Sequence, residues 1–292
     1  MVKEVIFTDN HGSLDVYDTL DSILSSEEVD RVFHCGDLKS LFSPEKKSEM
    51  LERAYNSDDF AQHSKNVKDF RQLNLLLEDL AFREELKADY GPQNNAVKAL
   101  KEKFGVDFKG VPGNWDGILL SQFIPEIDWL TESQSLSDEF VFGAMGSLEI
   151  RKGDVYGPVD PSTRRFRYIW KPDEDYEDFK KSKIYNSLKD KRIDVLVSHH
   201  SGDFGGNIPI EIIVKDGVRI PVKGGAGKGI EKLGQENPGM VNYCGHLHDG
   251  LIYRDPRTDV LILRPGQNHV FHVEREGKEV KWVKIYKVDK SA

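Results

Sequence analysis

Short apolar runs alternate with stripes of helical period in the first part of the chain. Val2 to Thr8 is β-rich and largely apolar, and it runs straight into Asp9-Asn10-His11-Gly12. Leu14, Tyr17, Leu20 and Leu24 then recur at spacings of three and four, which predicts a helix. Val32-Phe33-His34-Cys35 predicts a second strand, stopped by Gly36-Asp37. Strand, polar glycine-containing loop, helix, strand is the pattern of a βαβ unit and hence of a parallel sheet. Ligands of such sheets gather where strands end and loops begin, and Asp9, His11 and Asp37 all fall at that edge.

From about Leu41 to Phe104 the pattern becomes helical and densely charged. Val67, Phe70, Leu73, Leu77 and Leu80 make one apolar stripe, with charged residues between them. Gly91-Pro92 is expected to break this stretch before a last helix that ends near Phe104-Gly105. A short strand, Phe108 to Val111, follows and ends in Pro112-Gly113-Asn114-Trp115-Asp116-Gly117. The chain is read as one domain, residues 1–292, with residues 41–106 as a helical insertion between two strand ends. That insertion is expected to serve as a lid, a packing platform or a dimer face.

The second half has a different texture. Glu139 to Ile150 alternates like a strand pair, and Tyr156 to Lys191 is charged and aromatic. Asp194 to Ser198 predicts a buried strand that ends at His199-His200. Ile208 to Val222 predicts a hairpin turning at Asp216-Gly217. Gly224 to Leu233 opens a helix, and the strand Val241 to Cys244 leads at once into Gly245-His246-Leu247-His248. The remaining runs, Leu251 to Tyr253, Val260 to Leu263, Val270 to Val273 and Val280 to Val288, read as antiparallel strands.

Composition narrows the classes. Apolar residues make up 38% of the 292 and charged residues 31%, which is the balance of a globular protein with a core of ordinary size. The formal charge of -9 gives no basic footprint for tracking a nucleic-acid backbone, and it welcomes cations. No apolar stretch approaches the length of a membrane span, and the start of the chain lacks a signal-peptide layout, so a cytoplasmic protein is expected. Cys35 and Cys244 are too few for a disulfide scaffold and read as small packing residues.

Chemistry collects at the strand ends. Asp9, His11, Asp37, Asn114, His199, His246 and His248 each follow a short β-type run, so one parallel-type sheet would deliver them to one rim. Oxygen and imidazole donors without thiolate suit Mn, Fe, Zn or Ni better than a structural zinc site. The set is too large for one ion and suits two that share a carboxylate, an arrangement that clamps both oxygens of a phosphoryl displacement.

Asp9-Asn10-His11, Gly36-Asp37, Gly113-Asn114-Trp115-Asp116, Ser198-His199 and Gly245-His246-Leu247-His248 together resemble the five ordered motifs of the calcineurin-like metallophosphoesterases. The resemblance spans Asp9 to His248. It implies an α/β (α+β) fold, a four-layer αββα sandwich of two mixed β-sheets flanked by helices, with the helical insertion added. It also implies that Asp9, His11 and His248 hold one metal, that Asn114, His199 and His246 hold the other, and that Asp37 bridges them. Two divalent or trivalent ions are expected, manganese first, with iron, nickel or zinc as alternatives. Hydrolysis by in-line attack of a metal-bound hydroxide on phosphorus follows from the resemblance, with Asn114 near enough to touch the phosphate.

One position departs from the family pattern. The third motif usually carries GNH, whose histidine is read as the leaving-group acid, and here Trp115 stands in its place. Losing such an acid typically costs about 10²–10⁴ in rate. His200 is the nearest sequence candidate for a substitute and is carried as a catalytic candidate with Asp37 and Asn114. The GN-x-D form resembles the bacterial and archaeal phosphodiesterase branch, which favours a small or nucleotide-like phosphodiester as substrate. Nucleic acid is not the favoured partner, no membrane is expected, and oligomerisation through the helical insertion is left open. The alternatives are a phosphomonoesterase or protein phosphatase, a nuclease of the same family, and a non-catalytic metal-binding scaffold on the same fold. His34 reads as packing, and His63, His269 and His272 carry no motif. The glycine tract Gly224 to Gly229 lacks phosphate-loop spacing, and the cluster Arg164, Arg165 and Arg167 reads as a solvated strand face.

Overall fold

The computed structural model describes residues 1–38, 54, 56–58, 60–61, 80, 83–113, 116, 120–130, 134–137, 140–145, 154–159, 166–170, 186, 188–202, 211–215, 218–222 and 228–289. Asn114, Trp115, Arg164, Arg165, His63 and the glycine tract up to Gly227 lie outside the described residues.

Period-two burial sets the layers. In β1 (Val2–Phe7), Val5 and Phe7 join a core with α1 (Asp15–Ser26), while Ile6 points the other way into a second core. β2 (Arg31–His34) repeats this with Val32 and Phe33. The next helix, α2 (Arg83–Phe104), contributes Leu86, Tyr90, Val97 and Leu100 to the first core, and β3 (Asp107–Gly110) adds Phe108. A short helix α3 (Leu120–Phe123) and β4 (Asp128–Trp129) follow. Then come β5 (Gln134–Ser137), β6 (Phe140–Met145), β7 (Asp154–Val159) and β8 (Phe166–Trp170).

In β9 (Val195–Ser198), Val195 and Val197 enter the second core and Leu196 a third. β10 (Glu211–Lys215) and β11 (Val218–Val222) form the expected hairpin across residues 216–217. α4 (Lys228–Glu236) packs Ile230 and Leu233 into the third core. The chain finishes through β12 (Val241–Tyr243), β13 (Leu251–Arg254), β14 (Leu261–Arg264), β15 (His269–Glu276) and β16 (Glu279–Lys287).

Two six-stranded sheets result, ordered β16-β15-β1-β2-β3-β4 and β13-β14-β12-β9-β6-β5. Both are mixed. β1, β2, β3 and β4 run parallel and β15 antiparallel in the first; β6, β9, β12 and β14 run parallel in the second, with β5 and β13 antiparallel at its edges. The second core fills the space between the sheets, and the first and third cores seat helices on the outer faces. This is the four-layer αββα sandwich that the motifs implied.

Three expectations are corrected. α2 runs unbroken through Gly91 and Pro92. Proline removes one helical hydrogen bond, but Tyr90 and Gln93 on either side are buried and tied into the protein, so tertiary packing outweighs the local break. Leu14, taken as the start of the α1 stripe, sits at the helix cap and is 45% exposed. β14 is antiparallel only to β13; its other neighbour β12 is parallel, since the turn into β13 lets β14 return alongside the core strands. Of the strand pair expected at 139–150, β6 is present, paired with β5 and β9, and residues 146–150 lie outside the described residues.

The inter-sheet core also contains a buried ion pair. Glu4 accepts from Arg275 Nε and Nη2, both at 2.7 Å, and from the Tyr243 hydroxyl at 2.6 Å. Tyr243 belongs to the second sheet, so this cluster ties the two sheets together.

Candidate metal centre

Beyond the ends of β1 and β2 the two loops stay hydrogen-bonded side by side. Asp9 N donates to Gly36 O at 2.9 Å, His11 N to Asp37 O at 3.1 Å and Gly12 N to Leu38 O at 2.7 Å. To fit this close pairing the backbone turns left-handed at Asp9 (φ 51°), His11 (φ 43°) and Asp37 (φ 62°), and again at His246 (φ 71°). Such conformations cost about 1–3 kcal/mol each for residues with a Cβ and cluster at functional sites. Gly36, at φ +96°, admits no side chain: a Cβ there would lie 2.5 Å from His199 Nδ1 and 2.6 Å from Gly113 Cα.

The second sheet meets these loops from the other side. His246 N donates to both oxygens of Asp9 at 3.0 and 3.1 Å, and Gly245 N donates to His199 O at 2.9 Å. Nδ1 of His199 lies 2.7 Å from Cys35 O, which fixes its proton there and turns Nε2 toward Asp37, 3.3 Å from Oδ2. Nε2 of His11 and Nε2 of His248 face each other at 3.3 Å.

Six of the seven sequence-predicted ligands are thereby brought to one rim, and the seventh, Asn114, is outside the described residues. Three groups each offer donor atoms within 4.8 Å of one another: Asp9, His11 and His248; Asp9, Asp37 and His199; and His199, His200 and His246. Carboxylate and imidazole donors without thiolate, converging on common points at a buried rim, fit borderline divalent ions. Asp9 and His199 are each shared by two of the groups.

The electrostatics agree. Burial, and then the neighbouring Asp37, push Asp9 up to about 7, against the pull of His199, Thr8 and the His246 amide. Burial alone would lower His199, yet the Asp37 and Asp9 carboxylates outweigh it and raise it to about 9. Without metal the rim therefore retains protons near neutrality; a bound cation would displace them. His246 is driven down to about 3 by burial and by His199.

His200, the candidate substitute acid, is 3% exposed and lies beside His246, with ring centroids 4.2 Å apart. Burial, then His246 and His199, hold it far below the usual histidine range. Neither of its ring nitrogens has a hydrogen-bond partner. Unmade hydrogen bonds of buried groups cost about 1–3 kcal/mol each.

Several supporting residues were given no role of their own in the sequence. Asp116 is fully buried; its Oδ2 accepts from Asp37 N at 2.9 Å and Gly113 N at 2.8 Å, and its Oδ1 from Leu38 N at 3.0 Å and the Tyr90 hydroxyl at 3.3 Å. Its place in the GN-x-D motif was the available signal. Asn10 lies between two candidate ligands: its Oδ1 accepts from His34 Nε2 at 3.1 Å and its Nδ2 donates to Gln93 Oε1 at 2.8 Å. Gln93 Nε2 in turn donates to Leu38 O at 3.2 Å, so α2 braces both ligand loops from behind. His34, read as packing, does pack edge-on against Phe7 and is also the partner that holds Asn10. Cys35 and Cys244 are buried, and burial raises both thiols, Cys244 to about 12.

No protein-family model matches the chain, and no curated protein matches it. Solved structures do. One is 15% identical and aligns over 98% of this chain and 99% of its own, with a TM-score of 0.53. The protein TT1561 of Thermus thermophilus is 11% identical over 99% of each chain, with a TM-score of 0.50. A structure described as a novel archaeal phosphodiesterase is 14% identical over 98% of this chain, with a TM-score of 0.40, too low to add to the argument. What the first two of these structures share with the chain is the fold, the two-sheet sandwich with helices on its outer faces. Among the described residues no helix is long and apolar enough to cross a membrane.

Proposed function

We propose that this protein is a phosphoester hydrolase that works with two divalent metal ions, manganese first among them, and that it favours small phosphodiesters. The observation that supports this most is the convergence of Asp9, His11 and His248 with Asp37, His199 and His246 at one rim, from four separate strand ends. In this reading Asp9, His11 and His248 hold one ion, His199 and His246 hold the other with Asn114, and Asp37 lies between them. The ions, when bound, supply Lewis acidity and lower the pKa of water. The protein's part is to hold the ligands rigidly. Thr8 Oγ1 donates to Asp9 Oδ2 at 2.6 Å and the His246 amide caps the same carboxylate, so Asp9 keeps one orientation. Cys35 O keeps the proton of His199 on Nδ1 and leaves Nε2 for the ion. Asn114 is assigned to touch the phosphate.

The preference for diesters rests on the third motif, where Trp115 stands in place of the leaving-group histidine and the GN-x-D form resembles the phosphodiesterase branch. The test is hydrolysis of bis-p-nitrophenyl phosphate beside p-nitrophenyl phosphate, with chelator-stripped protein titrated with Mn²⁺, Ni²⁺, Zn²⁺ and Mg²⁺. Metal-dependent turnover of the diester, with the monoester much slower, is expected. Faster monoester turnover would overturn the substrate preference. Tight metal binding with no turnover of either ester would favour a scaffold on the same fold.

A further inference from the structure

We propose that His200 is a ligand of the second metal position, where it adds a third imidazole to His199 and His246 beside Asn114 and Asp37. The inference deepens the proposed function and rests on it. His199 and His246 belong to the motif pattern; His200 does not, and its sequence position suggested only a stand-in acid.

Three observations carry the assignment. The three histidines offer nitrogens within 4.8 Å of one another. His200 is 3% exposed, and both Nδ1 and Nε2 lack a hydrogen-bond partner, although nearly all buried polar groups find one. A lone pair sealed in beside two other imidazoles, with ring centroids at 4.2 Å to His246 and 5.1 Å to His199, is suited to a cation. The third observation is the anchoring of the backbone. Asn242 Nδ2 donates to Ser198 Oγ at 2.8 Å, and Ser198 Oγ donates to His200 O at 2.7 Å. This relay from β12 fixes the turn after β9 and holds the consecutive His199 and His200 against the same neighbour, His246.

The two positions then differ in chemistry. Asp9, His11 and His248 bring two nitrogens to the first position, whereas His199, His200 and His246 bring three to the second. Imidazole-rich sites favour the later first-row ions, so the second position should hold Co²⁺, Ni²⁺ or Zn²⁺ more tightly relative to Mn²⁺ than the first does. His200, with its lone pair committed to the ion, would then not be the leaving-group acid.

The test uses Co²⁺ as the probe. The chelator-stripped full chain and the His200→Ala variant are titrated with Co²⁺, reading bound metal per chain and the visible d–d absorption. Two ions are expected to bind the wild type. In His200→Ala the second is expected to bind about 100-fold more weakly, at the upper end of what loss of even an indirect support causes, with an altered spectrum. Two ions in both proteins, with equal affinities and superposable spectra, would overturn the inference. A wild type that binds no Co²⁺ would overturn the proposed function as well, so the two failures are distinguishable. Should His200→Ala not fold, the ring ¹⁵N shifts of His200 in wild-type protein are followed as Zn²⁺ is added. A large shift of one ring nitrogen supports ligation, and unchanged shifts refute it.

Discussion

Asp116→Asn is a sharp test of how the candidate centre is held. The carboxylate is fully buried and accepts from three backbone amides, those of Asp37, Leu38 and Gly113, and from Tyr90. An amide has one accepting oxygen. If it keeps the pair Asp37 N and Gly113 N, its NH₂ group faces Leu38 N and the Tyr90 hydroxyl. Tyr90 can rotate to accept, but the Leu38 amide cannot, so at least one buried donor is left facing another. A hydrogen bond to a charged group contributes about 1.5–3 kcal/mol and an orphaned buried donor costs about 1–3, two descriptions that overlap. The expected loss is about 2–4 kcal/mol. Removing a negative charge near Asp37 and Asp9 relieves some repulsion in metal-free protein, so the full loss should be seen with metal bound. Urea unfolding with chelator and with saturating Mn²⁺ measures both. Tyr90→Phe, which loses only one long hydrogen bond, should cost about 0.5–1 kcal/mol. A change under about 1 kcal/mol for Asp116→Asn in metal, with unchanged Mn²⁺ affinity, would refute the idea that this carboxylate sets the Asp37 loop.

Arg275→Met should leave buried Glu4 with the Tyr243 hydroxyl and the more distant Arg31, 3.7 Å away, and destabilise by at most about 3–5 kcal/mol, whereas Glu4→Met/Arg275→Met together should cost less than either change alone; urea midpoints of the three variants decide this. Gly36→Ala should cost more than about 2 kcal/mol through its left-handed backbone and the clash with His199, and thermal melting reads it. Burial, and then His199, hold His34 at about 3, so folded protein keeps it neutral while the unfolded chain protonates near the ordinary histidine value of 6.5. Its contribution is therefore present above that value and is lost as pH falls toward about 3, by as much as about 4 kcal/mol. Chelated His34→Gln should accordingly show a flatter loss of stability with acidification than wild type. Mn²⁺ should raise the melting temperature, adding about 2.7 kcal/mol for each site at roughly a hundred times its Kd. No shift with any divalent ion would argue against a metal centre.

The strand ends were legible because each carries its own short motif: an apolar run, then Asp9 and His11, or Gly245 through His248. Continuous apolar runs such as Val5-Ile6-Phe7 also marked strands that are buried on both faces. What supports the centre was not legible, because its partners are remote. Gln93 reaches Asn10 across 83 positions and Arg275 reaches Glu4 across 271, and neither pair leaves a local pattern. The break expected at Gly91-Pro92 failed for the same reason: the anchors that keep α2 straight through it are Asp116 and Asn10, contacts invisible in a window of neighbouring residues. His200 looked like a reserve acid because its sequence position showed a neighbour of a motif but not two unpartnered nitrogens in the interior.

The place of β1 in its sheet has a consequence for how the chain is made. Val2 to Ile6 pair with Arg275 to Phe271, so the strand leading to Asp9 is closed on one side by a strand far downstream in the chain. During translation that edge waits, unpaired, until β15 has appeared. Pairing over such a distance is slow, and open strand edges invite association with other chains. A nascent or clipped chain that stops before His269 would carry all of the candidate ligands and still present that edge, making aggregation rather than partial activity its expected fate.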